Sequence, residues 1–71
     1  MISGEVVLYN ERRGFGFIRP DTGDADVFVH ISDAQEGGIE ELAVGDRLEF
    51  EIEADPRSGK PRAADIRRAG H

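Results

Sequence analysis

Apolar and polar residues alternate most strictly at Leu48-Glu49-Phe50-Glu51-Ile52-Glu53. Side chains of a strand point to opposite faces in turn, so this segment predicts a half-buried strand with Leu48, Phe50 and Ile52 inward and the glutamates in water. Earlier in the chain, Glu5 to Tyr9 is rich in β-branched and aromatic residues and reads as a first strand, ended by the turn Asn10-Glu11-Arg12-Arg13-Gly14. Phe15 to Arg19 is a second strand, and Pro20 ends its ladder because it has no N–H to donate. Asp21-Thr22-Gly23-Asp24 has turn composition, and Val27 to Ile31 is a third strand. Ser32 to Val44 is the longest irregular stretch, followed by a turn at Gly45-Asp46. Glu36 to Leu42 is its only helix candidate, weakened by Gly37-Gly38. After the loop Asp55 to Pro61, Arg62 to Arg68 supplies a fifth strand with Ala64 and Ile66 on one face. Five short strands at this spacing predict an all-β, closed or nearly closed barrel, and closure removes exposed sheet edges.

The faces of strands two and three separate two kinds of surface. Gly16 and Ile18 lie on one side of strand two, and Phe15, Phe17 and Arg19 on the other. Val27, Val29 and Ile31 lie on one side of strand three, and Phe28 and His30 on the other. The aliphatic sides read as core. An inward Arg19 would need a buried partner, which is costly, so the aromatic sides are expected to face water. The competing reading makes Phe15, Phe17 and Phe28 ordinary core residues of a small barrel.

Composition narrows the setting. Seventy-one residues make one small domain, 1–71, and the absence of cysteine excludes disulfides and thiolate metal sites. No apolar run approaches the ~20 residues of a membrane span, and Met1-Ile2-Ser3-Gly4-Glu5 lacks the basic and apolar regions of a signal peptide, so a cytoplasmic protein with no membrane partner is expected. The net charge of −6 opposes long-range attraction to phosphates. Locally, however, Arg12, Arg13 and Arg19 surround the aromatic pair, and Arg57, Lys60, Arg62, Arg67 and Arg68 gather near the carboxyl end. The expected picture is a basic face on an acidic body.

That face carries the chain's most specific motif. Arg13-Gly14-Phe15-Gly16-Phe17-Ile18 fits the opening of the pattern Lys/Arg-Gly-Phe/Tyr-Gly/Ala-Phe-Val-x-Phe/Tyr, with Ile18 in place of Val and Pro20 at the last position. Two rings on one side of a strand offer flat surfaces on which unstacked bases can lie. The chain resembles the cold-shock domain of small bacterial cold-shock proteins, a five-stranded antiparallel OB-fold barrel. The motif just quoted resembles that family's Lys-Gly-Phe-Gly-Phe-Ile. Val27-Phe28-Val29-His30 is identical to its Val-Phe-Val-His, and Pro61-Arg62-Ala63-Ala64-Asp65-Ile66 resembles its closing Pro-Gln-Ala-Ala-Asn-Val. An RNA-recognition motif would carry the first two in the opposite order and would need two helices.

The resemblance implies binding of single-stranded RNA or DNA by base stacking, in the manner of an RNA chaperone or regulator, with no enzyme activity, cofactor or metal. It implies stacking by Phe15, Phe17 and Phe28, a ring and a donor from His30, and a phosphate contact by Arg13. Tyr9 stands where the family has Phe in its Lys-Trp-Phe-Asn segment, and Asn10 is retained. Of the carboxyl-terminal cations, Lys60 and Arg62 are assigned to the binding surface, and Arg67-Arg68 to ordinary surface charge.

Departures from the family weaken this expectation. The Lys and Trp of that segment are Val7 and Leu8, the Phe after the histidine is Ile31, and the family's Gly-Phe-Lys reads Gly38-Ile39-Glu40. At ~1–2 kcal/mol per lost ring, affinity falls by up to several orders of magnitude. Two functions follow: a monomeric single-strand binder weaker than typical family members, or a protein-interaction or regulatory module whose partner meets an apolar surface of Leu8, Ile31 and Ile39. An initiation-factor type of acidic OB-fold would not explain Val-Phe-Val-His. His30 and His71 are the only histidines, and His30 reads as a polar ring on the stacking face rather than a catalytic base or metal ligand; Asp21, Asp24 and Asp26 lack the glutamate that closes a calcium loop, so they read as a solvated turn.

Overall fold

A computed structural model describes residues 1–69 of the chain; His71 lies outside them. The elements run β1 (Ile2–Asn10), β2 (Phe15–Pro20), β3 (Val27–His30), α1 (Ile31–Glu36), β4 (Arg47–Ala54) and β5 (Pro61–Arg68). The strands close into a barrel in the order β1-β2-β3-β5-β4. This is the five-stranded OB-fold barrel expected from the sequence. Every pairing is antiparallel except the seam, where β3 and β5 run parallel with Phe28 opposite Arg62. No helix among the described residues is long and apolar enough to cross a membrane.

Alternation decides most of the interior. Val6, Ile18, Val27, Val29, Leu48 and Phe50 are fully buried, and Ala34, Ile39 and Leu42 complete the core from α1 and the segment after it. A small barrel must be filled by its own side chains, and Phe50 is the largest fully buried one. Arg19 is exposed, as the cost of burying an unpaired charge requires.

Two bulges break the alternation. Between Val6 and Leu8, β1 advances two residues while β2 advances one, so Val6 sits opposite Ile18 and Leu8 opposite Phe17. In β5 the extra residue falls near Asp65, which has φ 50°, a left-handed conformation that aspartate tolerates. The inward residues of β5 are therefore Ala63 and Ile66, not Ala64 and Ile66 as simple alternation predicts.

The helix also differs from expectation. It occupies Ile31–Glu36 rather than Glu36 to Leu42. His30 ends the third strand one residue early and caps α1, its ring nitrogen accepting from the Ser32 backbone N–H. Gly37 and Gly38 then donate back to the Ala34 and Gln35 carbonyls and end it. Ile31 is consequently the first helical residue, half-buried against the core. Ile39 is only 2% exposed and belongs to the core, so it is not part of an apolar docking surface.

Candidate nucleic-acid interface

Cross-strand partners in an antiparallel ladder share a face. Phe15 is opposite Asn10 on one side and His30 on the other, and Phe17 is opposite Leu8 and Phe28. The outer face of β1–β2–β3 therefore collects Leu8, Asn10, Phe15, Phe17, Phe28 and His30. Phe15 and Phe28 stack with centroids 5.8 Å apart and planes at 18°. Phe17 meets both edge-on, at 5.9 Å from Phe28 and 6.3 Å from Phe15. Because each ring shields its neighbours, all three are half-buried rather than fully exposed. Leu8 is 46% exposed beside them.

The glycines of the motif are there for the backbone. A Cβ on Gly16 would lie 2.3 Å from the Leu8 carbonyl oxygen, so only glycine lets β1 cross there. Gly14 has φ 72° in the turn, and its carbonyl accepts from the Ile31 N–H at 2.7 Å. The Gly-x-Gly spacing thus fits two strands and the start of a helix together.

Asn10 Oδ1 accepts from the Arg13 N–H at 3.1 Å, which holds the turn that presents Arg13. Tyr9 is not brought to the ring cluster. It lies opposite Gly16, on the core-facing side, packs against the core and lines a cleft with Glu11, Glu40 and Glu41. Alternation along β1 beyond the bulge puts Tyr9 and Asn10 on opposite sides.

His30 Nδ1 accepts from the Ser32 N–H at 3.1 Å and lies 2.8 Å from Ser32 Oγ. A backbone N–H can only donate, so Nδ1 is the acceptor and the neutral ring keeps its proton on Nε2, which remains a donor.

Lys60 and Arg62 reach the same region across the barrel seam, where Arg62 of β5 lies opposite Phe28 of β3. A cavity of about 480 Å³ is lined by Phe17, Asp26, Phe28, Lys60, Pro61 and Arg62. Asp55 accepts from the Arg57 N–H at 2.7 Å and the Ser58 N–H at 3.2 Å, ordering the loop that carries Lys60. These backbone hydrogen bonds, the one from Arg57 first, hold the Asp55 carboxyl below the ordinary aspartate range. Among the described residues, Arg13 and Lys60 make no ion pair, so both cations are available to a phosphate. Asp26, which the sequence pattern placed in a solvated turn, is exposed but lines this cavity. Its place directly before Val27 was the one available signal.

Comparison with known proteins finds relatives along most of the chain. Residues 2–69 match the sequence model of the 'Cold-shock' DNA-binding domain. The chain is similar to a probable cold shock protein of Sinorhizobium fredii, 46% identical over 66 residues covering 93% of this chain and 96% of that one. It is similar to the cold shock protein CspA of Rhizobium meliloti, 44% identical over 69 residues covering 97% and 100%. Against the cold shock-like protein CspE of Escherichia coli it is 55% identical over 51 residues, covering 72% and 74%.

Proposed function

Because the chain belongs to the cold-shock domain family, we propose that it binds single-stranded RNA or DNA through the outer face of β1–β2–β3, as an RNA chaperone or regulator. The observation that carries this is the Phe15–Phe17–Phe28 cluster, with Arg13, Lys60 and Arg62 at its borders. Each ring offers a base one face, and the cations follow the backbone. A duplex hides its base faces, so this surface selects open strands. Phe15, Phe17, Phe28 and His30 contact bases, whereas Asn10 positions Arg13. Tyr9 acts from beneath the sheet.

Binding is weaker than in family members with a full set of aromatics. Leu8 gives a base apolar contact without stacking, and Glu40, in the segment after α1, adds a negative charge. The protein-partner reading has little support, since Ile39 is in the core and Ile31 packs against it, leaving Leu8 as the patch's exposed member. We further place the protein in the cytoplasm as a monomer, with residues 1–71 acting as one binding domain.

The chain has no tryptophan, so the test uses a labelled ligand. Fluorescein-tagged oligo-dT and oligo-U are titrated by anisotropy at two salt concentrations. Saturable binding that weakens with salt is expected. No binding at high micromolar protein in low salt overturns the proposal and leaves the protein-partner reading.

A further inference from the structure

Arg62 carries unmet hydrogen-bonding capacity in this interface. Among the described residues its Nε is buried with no partner. One terminal nitrogen is 3.9 Å from Oε1 of Glu53, the residue opposite it on β4. A contact that long, between partly exposed groups, holds weakly. A guanidinium has five donors in a rigid fork, and here most remain for a ligand. Arg62 also lines the cavity it shares with Phe17, Phe28 and Asp26. Of the two carboxylates lining that cavity, Asp55 is engaged by the Arg57 and Ser58 N–H groups. Asp26 makes no side-chain hydrogen bond or ion pair among the described residues and keeps its acceptors. Two rings, a forked donor and an unengaged carboxylate thus converge on one cleft, whose volume falls within the ~300–1,000 Å³ of small-molecule sites.

We propose that this cleft is a guanine-reading subsite, in which Arg62 donates to guanine O6 and N7 while Asp26 accepts from its N1–H and N2–H. The proposal rests on the single-strand-binding reading above. Guanine O6 and N7 match the spacing of an arginine fork. The adjacent edge of the same base offers two neighbouring donors, which match the two oxygens of a carboxylate. Thymine and uracil have a single N–H between two carbonyls, so their second acceptor would face the carboxylate. Cytosine and adenine set a ring nitrogen acceptor beside their amino group, with the same conflict. Only guanine satisfies the donor and the acceptor end together. The sequence bears on this too, because Arg62 stands where the family's closing motif has Gln.

The test uses fluorescein-labelled heptamers of dT in which a single dG is moved through every position. Anisotropy gives the affinity of each for the unaltered protein, for Arg62→Gln and for Asp26→Asn. The quantity read is the ratio of dG-containing to all-dT affinity within each protein, so a general loss of binding in a variant cancels. For the unaltered protein at least one position is expected to bind about fivefold or more tightly than all-dT. Both variants are expected to bring that ratio to about one. A ratio near one at every position in the unaltered protein overturns the subsite, as does a preference that survives both substitutions. If the unaltered protein binds all-dT without a dG preference, this inference alone fails; if it binds no oligomer, the single-strand reading fails with it.

Discussion

Phe15 and Phe28 stack almost parallel although neither is the other's ladder partner: Phe15 faces His30 across the strands, and Phe28 faces Phe17. The stack runs diagonally, so the two rings hold one another in the orientation a base would meet. Truncating one ring removes a stacking surface and also releases the other.

Phe15→Ala and Phe28→Ala are each expected to weaken oligo-dT binding by about tenfold, within the ~1–3 kcal/mol range of a stacked base. The double variant should lose less than the product of the two, because the second truncation removes a ring already unsupported. Anisotropy titrations of the three variants at one salt concentration measure this, and strictly multiplicative losses would show that the rings act independently.

Salt dependence counts the phosphate contacts. On oligo-dT, which offers Arg62 no guanine edge and leaves it to the phosphates with Arg13 and Lys60, the logarithm of affinity should fall against the logarithm of salt with a slope of about −2, at ~0.7 per contact for single strands. Lys60→Gln should make the slope shallower by about 0.7.

His30 has two tasks that substitution can separate. His30→Ala removes both the ring and the acceptor that caps α1, and should cost about 1 kcal/mol of stability as well as affinity. His30→Asn keeps a capping oxygen while losing the ring. Its melting temperature should stay near that of the unaltered protein, while oligo-dT affinity drops as it does for the alanine variant.

Gly16→Ala sets a methyl group against the Leu8 carbonyl. Backbone cannot yield as a side-chain tip can, so a loss of about 2 kcal/mol or more is expected. For a domain of this size that lowers the melting temperature by about 10 °C or more.

Two aspartates contribute to the response to acid. The Arg47 hydrogen bonds hold the Asp21 carboxyl below its ordinary range, and the Arg57 and Ser58 N–H groups do the same for Asp55. A lowered folded-state pKa contributes stability that is present above the unfolded-state pKa and is lost as pH falls through the folded-state value. Stability should therefore hold at neutral pH and fall below about pH 4, where unfolded aspartates take up protons. Asp55→Asn should be less stable than the unaltered protein at pH 7 and show a flatter decline in acid, as measured by thermal unfolding across a pH series.

The strands of the barrel were legible where the chain alternates without interruption. β4 reads directly from Leu48, Phe50 and Ile52, and the outward side of β2 from the conflict between Arg19 and burial. Where a bulge intervenes, alternation misleads. Val6 and Leu8 share a parity, yet one is core and the other lies beside Phe17, because the bulge at Val7 shifts the register. Ala63 replaces Ala64 in the core for the same reason at Asp65. The placement of α1 was hidden because its cap is a histidine, a residue that carries no strong capping signal in a sequence. Family position suggested a surface for Ile39, but an aliphatic residue after a glycine pair can fold under as readily as out, and here it fills the core. In the candidate site the rings were readable from spacing alone. The approach of Asp26 to Arg62 was not, since the closure of the barrel brings them to one cleft.

That closure has a mechanical side. Among the described residues the parallel seam between β3 and β5 has a single rung, Phe28 opposite Arg62, whereas every other pair of neighbouring strands is joined by several. Parallel pairing is also slightly the weaker kind. The barrel should unzip there first, and the same two residues frame the cleft that a strand would occupy. A bound strand that touches both acts as a clasp. It should slow amide hydrogen exchange in β3 and β5 more than in β1 or β4, so that occupancy is felt as a tightening of the whole cylinder.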